Sequence, residues 1–102
     1  MVKRLIWTEK ALNSKKEIFE YWNSITGNKK YSRRLESEFE KIVKLLLFFP
    51  DLGKNLANYP AKTIIVRKDY TIIYKVLSDK TLLEVKILQV WDTRRDPDDL
   101  KI

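Results

Sequence analysis

The chain has 102 residues, which is enough for one domain with a single hydrophobic core and too few for two. It contains no cysteine and no histidine, so disulfides, thiol nucleophiles, the usual zinc ligand sets and imidazole acid–base catalysis are all excluded. The formal charge of +7, from 21 basic and 14 acidic residues, favours an acidic or polyanionic partner, although a small protein can also carry such an excess simply to stay soluble.

The N-terminal half predicts one strand followed by two helices. Val2 to Trp7 is rich in residues that favour extended structure, and Thr8 is a good N-cap for a helix over residues 9–26. Gly27 is placed to end that helix, and a second helix is predicted over residues 29–49, where apolar residues recur every three or four positions. With a short turn between them, the two helices should form an antiparallel hairpin.

The C-terminal half predicts a loop over residues 51–61 and then three strands. The strands are expected over residues 62–67, 70–77 and 81–91, joined by links of hairpin length. The fold class is therefore α+β, a single domain over residues 1–102 with the order β-α-α-β-β-β: a twisted antiparallel sheet with the helix hairpin on one face. No stretch is long and apolar enough for a signal peptide or a membrane span, so the cytoplasm is the expected compartment.

Basic residues follow two of the predicted strands at the same end of the sheet. Alternate turns of an antiparallel meander fall on opposite ends, so Arg67 and Lys68 should lie about 10 Å from Trp91, Arg94 and Arg95, two strand spacings away. Guanidinium groups bind phosphate oxygens and aromatic faces stack on bases, which makes this end a candidate binding site.

A purely structural explanation of the same residues is also available. Arg67 or Arg94 could pair with Asp92 or Asp96, while Trp91 packs against the end of the core. For Trp91 the core role is favoured, because a tryptophan after an apolar strand usually packs inside. For the arginines binding is favoured, because an exposed ion pair contributes at most about 1 kcal/mol to stability.

Several segments, in their order and spacing, resemble the RelE/ParE toxins of bacterial type II toxin–antitoxin modules. The resemblance covers nearly the whole chain and rests on residues 6–12 (IWTEKAL), 18–22 (IFEYW), 49–53 (FPDLG), 66–74 (VRKDYTIIY) and 87–97 (ILQVWDTRRDP). It implies a toxin neutralised by an acidic antitoxin whose C-terminal segment wraps around it. It also implies one of two targets: DNA gyrase for ParE-like members, or mRNA in the ribosomal A site for RelE-like members.

The resemblance, carried over position by position, favours the ParE-like alternative. Arg67 and either Arg94 or Arg95 match basic positions of the family. However, Thr71 stands where RNA-cleaving members carry arginine, Thr63 and Ile65 stand where they carry lysine, and no tyrosine follows Arg95. Two alternatives stay open: a ribosome-dependent endoribonuclease, and a non-toxic family member that only binds partners. The candidate catalytic residues for the endoribonuclease are Arg67, Lys68, Tyr70, Arg94 and Arg95.

The expected partners are a cognate antitoxin and a target, either DNA gyrase or the ribosome with its mRNA, with no membrane, metal or cofactor. Target binding is assigned to Arg67, Lys68, Trp91, Arg94 and Arg95. Antitoxin binding is assigned to Trp7, Leu12 and Phe19, beside the helix hairpin. An acidic amphipathic segment could pack its apolar face on these three side chains.

Overall fold

A computed structural model describes residues 1–94 of the chain. Within them are two helices, α1 (Glu9–Thr26) and α2 (Lys30–Leu46), and five strands. The strands are β1 (Val2–Trp7), β2 (Lys54–Asn55), β3 (Lys62–Val66), β4 (Tyr70–Ser78) and β5 (Leu82–Asp92). The α+β class and the helix hairpin are confirmed, and none of the helices among these residues is long and apolar enough to cross a bilayer.

The ends of α1 are determined by local chemistry, as the sequence predicts. The Thr8 hydroxyl accepts a hydrogen bond from the Ala11 amide at 3.1 Å, which satisfies one of the free N–H groups of the first turn. Gly27 ends the helix with a left-handed φ of 75° and donates its amide to the Asn23 carbonyl. The second helix is shorter than predicted: it ends at Leu46, and residues 47–49 leave it as a turn before Pro50.

The sheet differs from the prediction in two ways. Its strand order is β1-β5-β4-β3-β2, and β1 pairs with β5 in parallel, so the sheet is mixed and not wholly antiparallel. The predicted loop over residues 51–61 also contains the two-residue strand β2, which pairs with the start of β3. The meander of β3, β4 and β5 is antiparallel as predicted.

The parallel pairing arises because α1 does not reverse the chain after β1. Strand β1 ends opposite Ile87, whereas β5 continues to Asp92, and α1 runs along this extension. The Val90 amide donates to the Ser14 hydroxyl at 3.1 Å, and further along α1 the Trp22 ring contacts Tyr70, which pairs with Asp92. Helix α2 then returns to the start of β1, so β3 and β5 run in the direction of β1.

The main core lies between the helix hairpin and one face of the sheet. Its fully buried members include Leu35, Phe39 and Leu46 of α2, with Tyr70 and Tyr74 of β4. A smaller, separate cluster of buried residues consists of Ala61, just before β3, Ile73 of β4 and Trp91 of β5. The apolar period of α2 therefore predicts its core face: Leu35, Phe39 and Leu46 recur at helical spacing and all are buried.

The link between β4 and β5 is held by one carboxylate, which gives a pH prediction. Asp79 accepts from the amides of Thr81 and Leu82, at 2.8 and 2.9 Å, and from the Thr81 hydroxyl. These bonds, the Thr81 amide first, lower the pKa of Asp79 below its ordinary value of 3.8. A lowered pKa means that the stabilisation is present above pH 3.8 and is lost as the pH falls through the folded-state pKa. We expect this titration in NMR spectra of the Asp79 carboxyl, and a smaller loss of stability on acidification in Asp79→Asn.

Candidate functional site

The turn between β3 and β4 and the end of β5 meet at one end of the sheet. The Thr93 amide donates to the Asp69 carbonyl, and the Thr93 hydroxyl donates to the Lys68 carbonyl, both at 2.8 Å. Arg67, Lys68 and Arg94 therefore lie at the same end of the molecule, as the meander predicts. We call these three residues the cationic end. Arg95 lies outside the described residues.

The turn that carries Arg67 and Lys68 has an unfavourable backbone. Both residues have positive φ, 57° and 67°, a left-handed conformation that residues other than glycine, asparagine and aspartate rarely adopt. Two consecutive left-handed residues are the pattern of a type I′ turn, for which hairpins prefer Asn-Gly. Two long basic side chains therefore occupy positions where local stability would favour other residues, a pattern often found at functional sites.

Arg67 is held against the helix hairpin. Its Nε lies 3.3 Å from Glu38 Oε2 on α2, and its guanidinium carbon lies 5.5 Å from the centre of the Tyr31 ring. Glu38 Oε2 is buried and accepts no hydrogen bond among the described residues, so its attraction to Arg67 is Coulombic. Among the described residues Arg67 pairs with Glu38 and not with Asp92, whereas the predicted pairing of Arg94 with Asp92 is confirmed; Asp96 lies outside the described residues.

Arg94 is held in a similar way at the end of β5. Its Nε and one terminal nitrogen donate to the two carboxylate oxygens of Asp92, at 3.0 and 2.8 Å. Its guanidinium carbon lies 5.9 Å from the centre of the Trp22 ring. The hydrogen bonds to Asp92 raise the pKa of Arg94, so this side chain stays charged at any working pH. About half of the side chain is exposed, which leaves it accessible to a partner.

An aromatic cluster connects the two arginines. The Trp22 and Tyr31 rings lie 4.6 Å apart, and Trp22 Nε1 donates to the Tyr70 hydroxyl at 2.6 Å. Burial raises the pKa of Tyr70, although the Trp22 hydrogen bond and the nearby Arg94 act in the opposite direction. The Tyr70 hydroxyl is therefore a neutral, buried group that positions Trp22. A cavity of about 360 Å³ opens beside Tyr70 and Arg94 and is bordered by Glu17 and Tyr21 of α1.

The structure separates the other predicted target-binding residue from this cluster. Trp91 is only 7% exposed and belongs to the smaller core cluster with Ala61 and Ile73, in agreement with the favoured core role. Trp22, Tyr31 and Glu38, which support the arginines, were not predicted as site residues. Their spacing indicates helix packing only, and no sequence signal shows that β3 and β5 end beside them.

The three residues assigned to antitoxin binding have different environments. Leu12 is half exposed, whereas Phe19 is partly buried and stacks on Phe39 with ring centres 6.1 Å apart. Trp7 packs on the main core, and Lys15 Nζ lies 4.3 Å from the centre of its ring. Their role in antitoxin binding stays a prediction. Residues 1–94 contain no group of three or more side chains placed to hold a metal ion.

Comparison with solved structures identifies the same fold in three toxin structures. Against the chromosomal ParDE toxin–antitoxin system of P. aeruginosa, the TM-score is 0.73 at 17% identity, covering 88% of this chain and 95% of that one. The YoeB/ParE toxin from Agrobacterium tumefaciens gives 0.61 at 12% identity, covering 87% and 97%. The intact E. coli RelBE toxin–antitoxin complex gives 0.60 at 18% identity, covering 92% and 100%.

Comparison at the sequence level is more specific about the family. No curated protein matches this chain significantly. However, the family model of the ParE toxin of the type II toxin–antitoxin system parDE matches residues 5–97, which is most of the chain. This match includes both helices, the last three residues of β1, the whole of β2 to β5 and the cationic end. The chain therefore belongs to the ParE toxin family of type II toxin–antitoxin systems.

Proposed function

We propose that this ParE-type toxin acts by binding DNA gyrase, through the cationic end, and that a cognate antitoxin neutralises it in the bacterial cytoplasm. The observation that carries the proposal is that the side chains of Arg67 and Arg94 are held in place by neighbouring residues. Each guanidinium lies against an aromatic ring of the helix hairpin and beside a carboxylate, which reduces the entropy that its side chain loses on binding.

The same geometry gives less support to RNA cleavage. Attack by a ribose 2′-hydroxyl needs a base, an acid and stabilisation of charge at phosphorus. Tyr70 is 1% exposed, its hydroxyl is engaged by Trp22, and its pKa is raised, so it is a poor candidate for proton transfer. Arg67 and Arg94 could stabilise charge, but each already faces a carboxylate. These contacts fit a surface that binds a partner better than they fit a catalytic site.

An acidic protein is the expected neutralising partner. The charge of +7 favours association with an acidic segment, and two of the similar structures are a ParDE toxin–antitoxin system and a RelBE toxin–antitoxin complex. If charge dominates, the affinity of the complex should fall as the salt concentration rises.

Inhibition of DNA supercoiling by purified gyrase tests the proposed target. We expect Lys68→Gln/Arg94→Gln to raise the toxin concentration for half-inhibition tenfold or more, because each charge-assisted contact is worth about 1.5–3 kcal/mol and 1.4 kcal/mol is tenfold. Lys75→Gln/Lys86→Gln removes the same charge from two paired residues of β4 and β5, away from the cationic end, and should leave inhibition unchanged.

Two outcomes would contradict the proposal. If the toxin cuts mRNA at codon positions on ribosomes, and Arg67→Ala/Arg94→Ala abolishes the cuts, the RelE-like endoribonuclease is correct. If expression of the chain causes neither translation arrest nor DNA damage, and gyrase is unaffected, the protein is a non-toxic family member that binds partners.

A further inference from the structure

The turn after α2 exposes an unusual amount of apolar surface. Phe48 and Phe49 are 65% and 59% exposed, and Leu45 and Leu52 beside them are 39% and 49% exposed. The turn is ordered by backbone bonds: the amides of Phe48 and Phe49 both donate to the Leu45 carbonyl, and the Leu52 amide donates to the Phe49 carbonyl. We call these four residues the phenylalanine tip. Two neighbouring rings exposed to this extent protrude from the surface and do not line a groove.

Lysines surround the phenylalanine tip. Lys3 Nζ lies 4.0 Å from the centre of the Phe48 ring, Lys44 precedes Phe48 by one helical turn, and Lys54 follows Leu52 by two residues. In the described part of the chain, none of these three lysines forms an ion pair. Asp51, the acid nearest in sequence, lies 3.8 Å from Lys62. The tip therefore combines exposed apolar side chains with unpaired positive charge.

We propose that the phenylalanine tip docks on the surface of an anionic lipid bilayer. Aromatic side chains partition into the interfacial region of a bilayer, and basic residues at its edge are attracted to anionic headgroups, by about fivefold in affinity for each lysine. A soft planar surface accepts a protruding tip without a complementary groove. A second copy of this chain is a poorer occupant, because two molecules of charge +7 with lysines around the contact repel each other.

The topology keeps this surface apart from the proposed gyrase-binding site. The tip lies beside Lys3, which pairs with Leu83 near the start of β5, whereas Arg94 follows the other end of that strand. The nine steps along the chain from Leu83 to Asp92 span roughly 30 Å at about 3.3 Å per residue. A toxin docked through the tip therefore leaves the cationic end away from the bilayer.

Co-sedimentation of the purified full chain with lipid vesicles tests the proposal without gyrase or antitoxin. We expect binding to vesicles of phosphatidylglycerol and phosphatidylethanolamine, and little binding to phosphatidylcholine. Phe48→Thr/Phe49→Thr should weaken the binding tenfold or more, and Lys44→Gln/Lys54→Gln should weaken it by about 25-fold at low salt. Because all four side chains are exposed, the variants should keep the wild-type circular dichroism spectrum and melting temperature.

The matched control is Ile65→Thr/Leu77→Thr, which replaces two other apolar residues that are 64% and 62% exposed. It should bind vesicles like the wild type. The proposal is wrong if no anionic vesicle sediments the protein, which would leave an acidic protein segment as the occupant. It is also wrong if the Phe48→Thr/Phe49→Thr variant binds as tightly as the wild type, since net charge alone would then explain binding. A wild-type dimer that this variant converts to a monomer in light scattering would instead make the tip a contact between copies.

Discussion

Arg67→Asn/Lys68→Gly should make the protein more stable and less active at the same time. The two residues have φ values of 57° and 67°, and the left-handed conformation costs an ordinary residue roughly 1–2 kcal/mol. Asn-Gly adopts it readily, but the variant loses the Arg67–Glu38 pair, whose side chains are 35% exposed and which is worth less than about 1 kcal/mol, and gains flexibility when unfolded. A net gain of about 1 kcal/mol should raise the melting temperature by about 4–8 °C.

Activity should change in the opposite direction, because the variant removes two charges from the cationic end. We expect the toxin concentration for half-inhibition of gyrase to rise tenfold or more, measured beside the melting temperature on the same samples. Arg67→Gln/Lys68→Gln is the matched control: it removes the charges without relieving the backbone, so it should lose activity and gain no stability. An Asn-Gly variant as active as the wild type would show that these side chains do not contact the target.

Gly53→Ala should be among the most destabilising single substitutions in this chain. A Cβ at residue 53 would lie 2.6 Å from the Thr63 carbonyl oxygen and 2.6 Å from the Tyr74 hydroxyl, both well inside van der Waals contact. The Tyr74 hydroxyl accepts from the Gly53 amide and donates to the Pro50 carbonyl, both at 2.9 Å. Because Tyr74 is fully buried and the carbonyl belongs to β3, neither can move freely. We expect a loss of about 3 kcal/mol in the free energy of unfolding.

Chemical denaturation of three further variants distinguishes the cause. Gly27→Ala is the matched control. Gly27 has φ 75° and an added Cβ there would meet no atom within 4 Å, so the cost of about 1 kcal/mol reflects backbone conformation alone. Tyr74→Phe should cost about 1–3 kcal/mol by leaving the Gly53 amide without its acceptor. The double variant Gly53→Ala/Tyr74→Phe should lose less stability than the sum of the two single losses, because removing the hydroxyl removes one clash. Strict additivity would show that the clash is not with the hydroxyl but with the Thr63 carbonyl or with Tyr74 Cε1, which lies 2.9 Å from the added Cβ and is also present in phenylalanine.

The turn around Gly53 and the turn at Arg67 and Lys68 contribute to different properties of the protein. The turn around Gly53 holds β2 and β3 beside β4 and affects function only through folding. The turn at Arg67 and Lys68 carries an energetic cost that the fold does not require. For this reason substitutions at Gly53 should lower the stability of the protein, whereas substitutions at Lys68 should change the affinity for the target.

Much of the architecture follows from short-range chemistry and was predictable. Thr8 and Gly27 bound α1 because an N-cap and a left-handed C-cap act within a few residues. Every second residue of β4 from Tyr70 to Val76 packs with the helices, whereas Ile73 and Trp91 lie in the smaller cluster, and the hairpin-length links make the meander antiparallel. Together these features place Arg67, Lys68 and Arg94 at one end, and the motifs along the chain predict the toxin family that the family model confirms.

Only the tertiary structure decides how the strands and the arginines are supported. The parallel pairing of β1 depends on the direction that α1 takes after Thr8, which no local pattern determines. Glu38 faces Arg67, and Trp22 and Tyr31 link Arg67 to Arg94, through contacts between residues far apart in the chain. Helical periodicity indicates which face of a helix is buried, so it does not show that Trp22 and Tyr31 lie beside the arginines at the end of the sheet.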